Sequence, residues 1–73
     1  MQKTWEIIAD GQPALEIIDT FSGSVAIKSL RGNDRGKVLY QLAKVPGNYF
    51  DADDIRRFGH QFVTAEMLSV VEK

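Results

Sequence analysis

Four cations, Lys28, Arg31, Arg35 and Lys37, crowd one short stretch of this 73-residue chain, interleaved with Gly32, Asn33, Asp34 and Gly36. Asp34 is the only acid nearby, so the stretch is electropositive. Such a cluster can rest on the phosphates of a nucleic acid, or it can anchor a partner protein, where arginine and aromatic side chains are enriched. Gly32 and Gly36 ahead of Lys37 invite comparison with a phosphate-binding loop, but that motif puts four residues between its glycines and a Ser or Thr after the lysine. Here three residues intervene and Val38 follows. Strands on both sides also leave no helix N-terminus to meet a phosphate, so the stretch reads as a turn.

The other residues able to do chemistry point to binding rather than catalysis. Asp51, Asp53 and Asp54 suggest a metal loop, yet a calcium loop begun at Asp51 would need an oxygen ligand where Ile55 stands and a glycine where Arg56 stands. Those acids are better placed to cap a helix and offset its dipole. His60 is the single histidine and has no serine or acid at a spacing that would orient it as a base. The chain has no cysteine, which removes disulfide and Cys/His zinc chemistry. No metal, no cofactor and no enzymatic activity are expected. Tyr49 and Phe50 are adjacent after Pro46-Gly47-Asn48, and in an extended backbone one ring would face away from the interior as a partner anchor or dimer seam. Trp5, Phe21, Tyr40, Phe58 and Phe62 are expected mainly in the core.

These residues need a scaffold, and the periodicities supply one. Ser24 to Val45 alternates on either side of the turn, with Val25 and Ile27 on one arm and Val38, Tyr40 and Leu42 on the other, which predicts a β-hairpin with the cations at its tip. Lys3 to Ala9 and Ala14 to Phe21 form two further strands around Asp10-Gly11, the second expected to bend or end near Asp19. After Pro46 the period becomes helical. Asp51 caps a helix carrying Ala52, Ile55, Phe58 and Phe62, Gly59 is expected to end it, and Thr64 is placed to cap a second short helix bearing Met67, Leu68 and Val71. One continuous kinked helix from Asp51 to Glu72 is the variant. The fold class is therefore α+β, a single domain over residues 1 to 73: a four-stranded antiparallel β-meander followed by one or two short C-terminal helices. A small SH3-like barrel with a helical appendage is the alternative.

Size and charge bound the function. A chain this short buries only about 60 to 65% of its unfolded surface, and self-association is the expected route to added stability, making a homodimer one expected partner state. There is neither a signal peptide nor a membrane-length apolar run, so a cytoplasmic location without membrane contact is expected. The net charge is −1, but residues 24 to 50 hold five cations against Asp34 alone, while both flanks are acidic. The resulting expectation is a small non-enzymatic binding module, a protein-interaction, regulatory or inhibitor domain. It would use Lys28, Arg31, Arg35 and Lys37 with Tyr49 and Phe50, and Arg56 and Arg57 would extend the patch. The alternative is a nucleic-acid-binding domain contacting phosphates through the same hairpin, which the acidic balance of the chain disfavours.

Overall fold

Asp10 and Gly11 both take positive φ, 51° and 83°, the left-handed pair that a two-residue hairpin turn requires. They join strand β1 (Gln2–Ala9) to β2 (Gln12–Thr20). The computed structural model describes all 73 residues. After β2 come β3 (Ser24–Ser29), a single 3-10 turn over Gly32–Asp34, β4 (Val38–Ala43), helix α1 (Ala52–Phe62) and β5 (Leu68–Glu72). The strands form one sheet in the order β4-β3-β2-β1-β5, and every neighbouring pair is antiparallel.

Alternation along the strands builds the core. Trp5 faces Ile17, Ile17 faces Ile27, and Ile7 faces Leu15 on one side and Val70 on the other. These side chains point to the face covered by α1, from which Ile55 is fully buried, and Val63 just beyond the helix closes the cluster. A bulge between Ile7 and Ile8 lets Ala14 slip into the β1–β2 pair without breaking it. The opposite face stays open. There Glu6 and Glu16 sit directly across from one another, and Lys73 Nζ lies 3.8 Å from the first and 3.4 Å from the second, offsetting their repulsion.

Two expectations need correction. The fold is α+β, but the sheet has five strands and there is one helix. The segment expected as a second helix is β5, because the outer side of β1 offers a ladder that a short isolated helix could not match. Asp10 secures it: its amide donates to the Met67 carbonyl at 2.8 Å, and its carboxylate accepts from the Met67 amide at 2.8 Å. Adjacent Val70 and Val71 also favour an extended chain. Next, α1 does not end at Gly59 but runs through it to Phe62. Gly59 is where the helix touches the sheet, and an added Cβ would lie 3.2 Å from Leu68 and 3.3 Å from Ile7. β2 ends at Thr20, the residue after Asp19, where the sequence placed its bend or end. The sheet has two free edges, β4 and β5, so it is no barrel.

Candidate functional site

The hairpin tip is held by its own backbone. Gly36 donates to the Ser29 carbonyl at 2.7 Å and Ser29 to the Lys37 carbonyl at 2.9 Å, closing the β3–β4 turn. Leu30 donates to the Ala14 carbonyl at 2.9 Å, which ties the turn to β2. The Ser29 hydroxyl, nearly buried, donates to the Arg31 carbonyl at 2.9 Å. Arg31, Arg35 and Lys37 project into solvent from this frame, and Lys28 stands half-buried on the open face of β3, paired across the ladder with Glu16.

Ion pairing sorts the nine lysines and arginines. Lys3, Lys37, Lys44, Arg57 and Lys73 each have a carboxylate within reach, and Arg56 donates to the Leu68 carbonyl at 2.8 Å. Lys28, which faces Glu16 across the ladder, Arg31 and Arg35 form no ion pair, and all three belong to the β3–β4 hairpin. Arg31 and Arg35 border an open cleft of about 670 Å³ that also takes in Glu6, Gln12, Pro13, Leu30 and Gly32. Two guanidinium groups beside an amide side chain can hold a carboxylate or phosphate oxygen pair. Lys37 is partly satisfied by Asp34 at 3.7 Å.

The remaining residues singled out from sequence lie elsewhere. Arg56 and Arg57 are on α1: Arg56 donates to β5, at the edge of the sheet opposite the hairpin, and Arg57 is exposed on the helix 3.8 Å from Asp54. Tyr49 and Phe50 are both half-buried at the far end of β3 and β4 from the tip. The six residues of β3 put roughly 17 Å between the two ends. The basic tip and the aromatic pair are thus separate patches. Tyr40 is on the helix side but only half covered, 5.7 Å from Phe62 at the sheet edge, and Phe21 is similarly exposed beside Tyr49. Asp51 and Asp54 form a reciprocal capping box at the start of α1. His60 is exposed on the last turn of that helix.

One constellation escaped the sequence reading. Asp19, 0% exposed, and Lys44, 8% exposed at its side chain, form a buried ion pair. The second Asp19 oxygen accepts from the Phe50 amide at 2.6 Å. The Lys44 ammonium also donates to the Asn48 carbonyl and lies 4.6 Å from the Phe50 ring centre and 5.6 Å from that of Tyr49. Gly23 makes room for this turn: at φ 109° it accepts from the Lys44 amide at 2.8 Å, and a Cβ there would meet the Lys44 carbonyl at 2.9 Å. Tyr49 and Phe50 are held here as the lid of a charge pair. The available signal was an acid on the inward period of β2 and a lysine on the inward period past Leu42.

Fold and site together define a small α+β domain with an open sheet face, an exposed cationic hairpin, and no helix long and apolar enough to cross a membrane. Set against known proteins, the chain finds no matching family model, no significantly similar curated protein and no significantly similar solved structure.

Proposed function

We propose that this chain is a non-enzymatic protein-binding module, of regulatory or inhibitory type, that takes an acidic segment of a partner at the tip of the β3–β4 hairpin. The observation that carries this reading is that Lys28, Arg31 and Arg35, three cations that form no ion pair, all stand on that hairpin. Exposed guanidinium groups that make no ion pair within the chain are free to take a carboxylate supplied from outside. Glu6 and Gln12 on the cleft wall add acceptors and an amide that suit a peptide backbone better than a row of phosphates. A nucleic acid would use the same cations, but the chain carries a net charge of −1 and no aromatic side chain lines the cleft of Arg31 and Arg35 for bases to stack on.

The test titrates the isotope-labelled chain with an oligoglutamate peptide and, separately, with a single-stranded oligonucleotide of equal charge. The peptide is expected to move the amide resonances of Arg31, Gly32 and Arg35, more weakly as salt rises, and the Arg31→Glu, Arg35→Glu double variant should abolish the effect. Tighter binding of the oligonucleotide would transfer the site to nucleic acid. Silence of residues 28 to 37 toward both ligands would remove the proposal.

A further inference from the structure

The two edges of the sheet are finished differently. At β5 the Arg56 side chain occupies the outward Leu68 carbonyl at 2.8 Å, and Glu72 on the strand pairs with Lys3 at 3.9 Å. Both are devices that blunt an edge against further pairing. β4 has neither. Its sequence, Val-Leu-Tyr-Gln-Leu-Ala, contains no charge, and Val38, Leu39 and Tyr40 are 47%, 40% and 48% exposed, with Val45 just beyond at 76%. Half of the large apolar side chains that this chain leaves in solvent belong to this one strand and its continuation. An apolar, uncharged edge is a template for another strand.

We infer that β4 pairs antiparallel with β4 of a second copy about a two-fold axis through Gln41, joining the two five-stranded sheets into one. The backbone fixes the register. Because the Lys44 amide donates inward to Gly23, ladder alternation turns the amide and carbonyl groups of Leu42 and Tyr40 toward β3 and those of Gln41 and Ala43 outward. An axis at Gln41 lets the two Gln41 residues exchange a pair of backbone hydrogen bonds. It also sets Tyr40 opposite Leu42 of the second copy on the helix-covered face, extending the apolar contact between Tyr40 and Phe62. An axis at Tyr40 would rely instead on Leu39, which sits where the β3–β4 register shifts.

Charge makes a second copy the suited occupant. In the Gln41 register Lys37 falls opposite Val45 rather than opposite another lysine, and the Lys44 side chain is drawn inside to Asp19. No like charges meet, and an uncharged strand offers nothing to select a charged foreign peptide. Isologous pairing of this kind closes on itself, so it yields a dimer and no fibre. A single strand edge buries less than the roughly 1,200 Å² at the low end of stable interfaces, so the dimer is reversible and concentration-dependent. It uses neither Arg31 nor Arg35, and so stands or falls independently of the acidic-peptide site.

Sedimentation equilibrium over a wide concentration range tests this, together with amide exchange and the variants Gln41→Pro and Tyr40→Lys. Proline at Gln41 removes an outward N–H that β3 does not use, which an edge strand tolerates. Tyr40→Lys places cations across the seam. The wild-type mass is expected to rise toward twice that of the monomer as the Gln41 and Ala43 amides become protected. Each variant should weaken association roughly tenfold or more while retaining its folded circular-dichroism spectrum. If Gln41→Pro fails to fold, Tyr40→Lys decides alone. A wild type that stays monomeric throughout, a dimer that survives in the folded variants, or protection that grows along β5 instead would each overturn the inference. So would β4 amides that become protected only on adding a foreign extended peptide.

Discussion

Asp19 and Lys44 hold the end of the sheet where β2, β4 and the entry to α1 meet, and their burial sets the cost of losing either one. Removing one partner from a buried pair leaves an uncompensated charge and costs about 3 to 5 kcal/mol, which is comparable with the roughly 3 to 5 kcal/mol that a core of this size supplies. Asp19→Ala, which also strips the Phe50 amide of its acceptor, should therefore show no cooperative urea transition. Lys44→Met should be destabilised by a similar amount, although the Asp19 carboxylate keeps the Phe50 amide. An Asp19→Leu, Lys44→Met double variant fills the same space with apolar groups and should recover most of the loss, since packed hydrophobic residues often replace a buried pair at no cost. Unfolding free energies around this cycle test the point: losses that simply add would show that the two side chains do not act as a unit. The exposed cations of the hairpin were legible in the sequence because type and spacing alone reveal them. The Asp19–Lys44 pair was not, since its members lie 25 residues apart and only the β2–β3–β4 register brings them face to face.

Helix α1 shows what local signals specify and where they stop. The Asp51 carboxylate accepts from the Asp54 amide at 2.9 Å and the Asp54 carboxylate accepts from the Asp51 amide at 3.4 Å; Asp51→Ala should cost about 1 kcal/mol, measured as a shift in the denaturation midpoint without a change in slope. At Gly59 two effects oppose each other. Alanine gains about 1 kcal/mol of helix propensity but presses a methyl group onto Leu68 and Ile7 at 3.2 to 3.3 Å, and those contacts are the movable ends of side chains. Gly59→Ala should accordingly fall within about 1 kcal/mol of wild type, whereas Gly59→Val, with more bulk and poorer propensity, should lose about 1 to 3 kcal/mol. The start of α1 was legible because a cap is a local motif. Its passage through Gly59 was not, because a glycine that ends a helix and a glycine that lets a sheet come close look alike in sequence. β5 misled for a related reason: Leu68 and Val71 fit a helical stripe as well as a strand, and the decision rests with Asp10 and the outer side of β1, far away in the chain.

Three of the four strand pairings are between consecutive strands, whereas β1 and β5 join Trp5 to Glu72, so the whole molecule is closed by its least local contact. β5 supplies Leu68 and Val70 to the core and the Leu68 carbonyl that Arg56 donates to, and the residues flanking it supply the Met67 partner of Asp10 and the Lys73 amide that donates to the Thr4 carbonyl at 2.8 Å. Without it, Ile7 and Ala9 would line an open edge, and α1 would lose the residues against which Gly59 packs. Burying a Leu or Val side chain is worth at most about 1.5 to 3 kcal/mol, so two partly buried ones with their ladder approach the entire margin of a domain this size. A chain ending at Ala65 should thus lack a cooperative thermal transition, although its three consecutive hairpins are intact. Amide exchange is the sharper readout: β2 and β3, the centre of the sheet, should lose protection together with β1 rather than remain as a stable meander. Persisting protection of Ile17 and Ile27 in the shortened chain would show that the four-stranded meander is the folding unit and that β5 is only added to it. Long-range closure also sets the rate, since the ends must meet before β1 gains its second neighbour, and folding should fall in the slower range for mixed two-state domains.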